Sequence, residues 1–111
     1  MPTPRHRAEI EENLQEPFRA LAIAFLPRAH ARLTQLAADF VQGTAADLRL
    51  ALHNLAGTTG SYGLRSLHAV LVAVEQDLSA CGEDLSPELR TDSRRRVLAL
   101  AQELADEDSS A

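Results

Sequence analysis

The sequence predicts an all-α protein: an up-down antiparallel four-helix bundle, with room for a short extra helix at the N-terminus. Three observations carry that prediction. Alanine and leucine dominate, aromatic residues are few and tryptophan is absent; such side chains lose little entropy in a helix. Apolar residues recur at three- and four-residue spacing through several long stretches. Short runs holding glycine, proline or a capping hydroxyl divide those stretches, as antiparallel helices joined by short connections require.

Residues 1–16 form a polar, proline-containing N-terminal segment, with one short helix expected around Ala8 to Leu14. The bundle is expected over residues 17–105. In its first helix, Phe18, Leu21, Phe25, Ala29, Leu33, Leu36 and Phe40 line one side, and Pro27 should kink or divide the run. Gln42-Gly43 ends it. Thr44 with Asp47 three residues on is a helix-start pattern, the hydroxyl capping free amides and the carboxylate facing the positive end. The next helix carries Leu48, Leu52, Leu55 and Thr59 on one stripe, and Gly60-Ser61-Tyr62-Gly63 reads as a turn. Leu64, Leu67, Leu71, Val74 and Leu78 mark the third helix, closed by Gly82. Ser86 caps the fourth, with Pro87 in its first turn and Val97, Leu100, Ala101 and Leu104 facing inward. Residues 106–111 read as a disordered tail.

At 111 residues the chain is one domain, long enough for a single core. Its net charge of -5 argues against nucleic-acid binding, which favours a basic surface. The single cysteine, Cys81, excludes an internal disulfide. There is neither a signal-like apolar run at the start nor a stretch of about 20 apolar residues, so a cytoplasmic monomer off the membrane is expected. His6 and His30 have no companions at metal-ligand spacing. His68 reads as a packed, hydrogen-bonded side chain, and Arg94-Arg95-Arg96 as a solvated face.

One segment stands apart, His53-Asn54-Leu55-Ala56-Gly57-Thr58-Thr59-Gly60-Ser61-Tyr62-Gly63. His53 lies on the order of 120° from the middle of the Leu48/Leu52/Leu55/Thr59 stripe, so it should face outward. Ala46, Arg49, Ala56, Gly57 and Gly60 are expected around it on that face, small apart from Arg49. Glycine within a helix costs about 1 kcal/mol relative to alanine, and access for a large partner would be a reason for it.

The segment resembles the phosphoacceptor motif of histidine-containing phosphotransfer (HPt) domains. That pattern is His, leucine two residues on, glycine at four, a small residue at five, then an apolar residue and glycine at nine and ten. Leu55, Gly57, Thr58, Tyr62 and Gly63 fill those places. The family's usual lysine, three residues after the histidine, is here Ala56. Lysine is absent from the whole chain, and Arg49, one turn before His53, is the candidate replacement, with Arg65 a second.

Glu75 is twelve residues after Gly63 and His53 ten before it, so antiparallel helices joined at that turn hold the two at nearly one height. Glu75 flanks the Leu71/Leu78 stripe, whereas Gln76 projects further out. A carboxylate accepting the Nδ1 proton would leave Nε2 free to attack phosphorus. The resemblance implies a phosphorelay carrier rather than a turnover enzyme: His53 takes a phosphoryl group from one receiver-domain aspartate and gives it to another. Receiver domains of response regulators, and a hybrid histidine kinase, are the implied partners. The chain needs no cofactor of its own, the divalent metal belonging to the receiver. The alternative reading is an HPt-like module that regulates receivers or kinases by binding alone, and a further one is a four-helix scaffold with an incidental histidine.

Overall fold

A computed structural model describes residues 4–110, with side chains described through Glu107. Five helices occur among those residues and no strand: α1 Arg5–Asn13, α2 Phe18–Asp39, α3 Ala45–Ser61, α4 Arg65–Cys81 and α5 Pro87–Ser110. The chain folds as a helical bundle of α2 to α5, in which α3 packs chiefly on α4 and α2 chiefly on α5. The extra helix α1 lies against α2 and α5. Met1–Thr3 and Ala111, at the ends of the expected N-terminal segment and tail, fall outside the described residues.

The helix starts and stops follow local chemistry. Thr44 Oγ1 accepts the Asp47 N–H at 3.1 Å and opens α3; Ser86 Oγ accepts the Leu89 N–H at 3.1 Å and opens α5. At the end of α3, Gly63 takes φ 72°. The Leu64 N–H then reaches Thr59 O at 3.0 Å and the Gly63 N–H reaches Gly60 O at 3.1 Å. This paired closure satisfies the last carbonyls, and it needs a residue that tolerates the left-handed region. Helix α3 therefore runs through Gly60 and Ser61, where the sequence suggested a turn had begun. At the far end of α2, Arg90 Nη1 donates to Phe40 O at 3.0 Å and to Gly43 O at 2.8 Å. Arg94 Nε donates to Ala37 O at 3.3 Å. Arginines of α5 thus cap α2, and Arg94 is a tie between helices rather than part of a purely solvated run.

The core holds Leu48, Leu52 and Leu55 of α3, Leu67, Leu71, Val74 and Leu78 of α4, and Val97, Leu100, Ala101 and Leu104 of α5. Two expectations for α2 change. Pro27 sits inside one continuous helix rather than dividing it. Phe18 and Leu21 are exposed, and Ala22 is buried in their place. Phe18–Leu21–Phe25 and Ala22–Phe25–Ala29 both obey three-four spacing, so periodicity alone does not choose between them. Helix α1 begins at Arg5, ahead of Ala8, and α5 continues to Ser110, past residue 106 where the tail was expected to start.

Candidate functional site

Helix α3 presents His53 with its side chain 71% exposed. From α4, Glu75 crosses to it: Oε2 lies 3.1 Å from His53 Nδ1, and the Glu75 side chain is 23% exposed. A carboxylate can only accept, so in this pair Nδ1 carries the proton and donates. The other ring nitrogen, Nε2, then keeps its lone pair. Gln76, the next residue of α4, is exposed.

Around the imidazole lies a shallow depression lined by Asn54, Gly57, Thr58, Ser61 and Tyr62. The Thr58 and Ser61 hydroxyls bond back onto their own helix, Thr58 Oγ1 to Asn54 O at 2.9 Å and Ser61 Oγ to Gly57 O at 3.0 Å. Their protons are spent within the helix, so toward a partner these two hydroxyls offer acceptor oxygens only. Sequence reasoning placed Thr58 in the motif but did not single out Asn54 or Ser61 for the site. The signal was available, because residues 53, 54, 57, 58 and 61 share one helix face.

The small residues around His53 divide into three kinds. Gly57 is exposed, has no positive φ, and an added Cβ would meet nothing within 4 Å. Gly60 is exposed, yet a Cβ there would come within 3.0 Å of His68 Nδ1 and 3.3 Å of its Cε1. Ala56 is only 3% exposed, which corrects its expected place on the outer face. It lies about 70° from the centre of the Leu48/Leu52/Leu55/Thr59 stripe, and a methyl that close to the stripe is covered by α4. Leu50 is a large exposed apolar side chain on the outer surface of α3.

Of the two candidate cations, Arg49 is exposed with no hydrogen bond or ion pair among the described residues. Arg65 pairs with Glu12 of α1 at 3.1 Å, and is occupied in tying α1 to the start of α4. His68 donates Nδ1–H to Ala56 O at 2.7 Å, in keeping with a packed, bonded histidine. Among the described residues there is no group of three His, Cys, Asp or Glu side chains placed to hold a metal ion, and no helix is long and apolar enough to cross a membrane.

The burial of Ala56 sets an expectation for restoring the family lysine. The stem of a lysine introduced by Ala56→Lys must displace contacts with α4 before its ammonium can snorkel to water. We expect its melting temperature to fall by a few degrees, corresponding to about 1 kcal/mol. A melting curve equal to the parent's would mean that α4 yields at this point without cost.

A helical bundle with an outward histidine, held from the next helix by a carboxylate and bordered by glycine, has the form of a histidine phosphotransfer module. A family model for the Hpt domain matches residues 20–110, and the chain belongs to that family. Hpt domains perform histidine phosphotransfer in phosphorelay signalling, working with receiver domains and histidine kinases. Neither the curated proteins nor the solved structures include a match to this chain.

Proposed function

We propose that His53 is the phosphoacceptor, and that the chain carries a phosphoryl group between receiver-domain aspartates. The observation that carries this reading is the bond between His53 Nδ1 and Glu75 Oε2 at 3.1 Å on an otherwise open imidazole. Nε2 attacks the phosphorus of a receiver's aspartyl phosphate. The N–P bond forms, the acyl-phosphate P–O bond breaks, and the aspartate leaves as a carboxylate. Positive charge grows on the ring during that attack, and Glu75 faces the proton that shares it. Transfer onward reverses these bond changes at a second receiver. The divalent metal that neutralises phosphate charge is the receiver's contribution, and exposed Arg49 is the cation this chain can add.

Gly57 supports the same reading from another direction. Its backbone does not require glycine, and no neighbouring side chain does. A helical glycine with no internal reason suits a surface that another protein must approach closely.

The test is incubation with a panel of phosphorylated receiver domains. Acid-labile, base-stable label on this chain is expected. The alternative, a module that binds receivers without carrying phosphate, predicts receiver binding with no such label. Glu75→Ala should slow phosphorylation about fivefold, the effect of losing roughly 1 kcal/mol from a charge-assisted contact that water partly screens. Its melting temperature should stay near the parent's, because the side chain is partly solvated. Unchanged kinetics would reduce the 3.1 Å contact to a surface ion pair.

A further inference from the structure

Gly60 calls for an explanation different from that of Gly57. Its backbone has no positive φ, so conformation does not demand glycine, and alanine would be the better helix former. The feature that crowds a side chain there is His68 of α4, whose Nδ1 would stand 3.0 Å from an added Cβ, so that the ring must give by a few tenths of an ångström. Giving way strains a bond the ring already makes. Its Nδ1–H is committed to Ala56 O at 2.7 Å, a carbonyl that also accepts the Thr59 hydroxyl at 3.0 Å.

We infer that Gly60, His68 and the Ala56 carbonyl form a clamp between α3 and α4 that positions Glu75 on His53. On α3, Ala56 follows His53 by just under one turn. On α4, His68 precedes Glu75 by seven residues, about two turns, on the same flank. The two bonds across the helix pair, His68 to Ala56 O and His53 to Glu75, therefore fix one register. Loosening the first lets α4 slide or roll, and the 3.1 Å contact at His53 is lost. Gly60 is thus glycine to admit His68, not to admit a docking partner, and His68 is a positioning residue. This inference rests on the phosphoacceptor reading only for its effect on transfer.

The experiment is a double-mutant cycle on the full chain, with Gly60→Ala, His68→Leu and their combination, plus His68→Asn, whose amide keeps a donor near the Nδ1 position. Two quantities are read: the tautomer of neutral His53 by 15N NMR, and the rate of phosphoryl transfer from a purified phospho-receiver. Melting curves check that each variant folds. Gly60→Ala and His68→Leu should each move His53 away from the Nδ1–H tautomer and slow transfer about fivefold, as loss of the Glu75 contact does. In the His68→Leu background, Gly60→Ala should cost less than in the parent, because a leucine side chain there has no bond to Ala56 O holding it against the added Cβ. His68→Asn should retain the parent tautomer. Equal slowing by Gly60→Ala in both backgrounds, with the tautomer unchanged, would overturn the clamp and make Gly60 a docking glycine. So would a His68→Leu chain with the parent's tautomer. If His53 took no phosphate from any receiver, only the functional reading would fall, and the tautomers would still decide the clamp.

Discussion

His53→Gln should abolish acid-labile phosphorylation of the chain, lowering label from a phospho-receiver by at least about a thousandfold, the scale of losing an essential nucleophile. Glutamine keeps a hydrogen-bonding side chain of similar reach but offers no nucleophilic nitrogen, because its amide lone pair is delocalised. The fold should not notice. His53 is 71% exposed, and the bond it makes is the one to Glu75, so the variant should melt within about a degree of the parent, as exposed substitutions do. That pairing of outcomes separates the proposal from its competitors. A module that binds receivers without carrying phosphate loses nothing on His53→Gln, since it never held the label. A variant that still took acid-labile label would move the acceptor to another histidine. His30 and His68 would be next to examine, although both are half-buried where His53 is exposed.

What the sequence made legible follows from what periodicity can carry. The stripes of α3, α4 and α5 could be read because leucines at three-four spacing leave one solution, and all of those residues are buried. The meeting of His53 and Glu75 could be read because it needs only a turn position, a rise per residue and a flank. Three features could not. Ala56 lies at the border of its stripe, where burial depends on the size of the side chain and the closeness of α4, neither of which is local. Gly60 is explained by His68, eight residues later and on another helix. His6 carries no local sign of burial, yet it is fully buried. Its backbone N–H donates to Glu107 at 2.8 Å, and its Nε2 lies 3.3 Å from Glu103. That environment exists only once α1 docks on α5. In each case the missing information was which helix covers the residue.

Gly57→Leu should cut phosphoryl transfer by on the order of a hundredfold, equivalent to about 2.7 kcal/mol of lost transition-state stabilisation, while leaving the fold as stable or more so. The two halves of that expectation have separate causes. Nothing lies within 4 Å of a Cβ placed at Gly57, so leucine meets no clash, and replacing a helical glycine removes a propensity penalty of roughly 0.8–1.0 kcal/mol. A slightly raised melting temperature is the natural result. Transfer, in contrast, requires a receiver's aspartyl phosphate to come within bonding distance of Nε2, and a branched side chain one turn from His53 occupies the depression it must enter. Leucine should therefore act on approach, and should leave the His53–Glu75 pair and the His53 tautomer unchanged. That distinguishes it from Gly60→Ala, whose damage runs through the tautomer. Gly57→Ala, smaller and equally free of internal contact, should lie between parent and leucine in transfer rate. If Gly57→Leu transferred as fast as the parent, partners would not approach over this face of α3, and the glycine would have no reason either inside the chain or outside it.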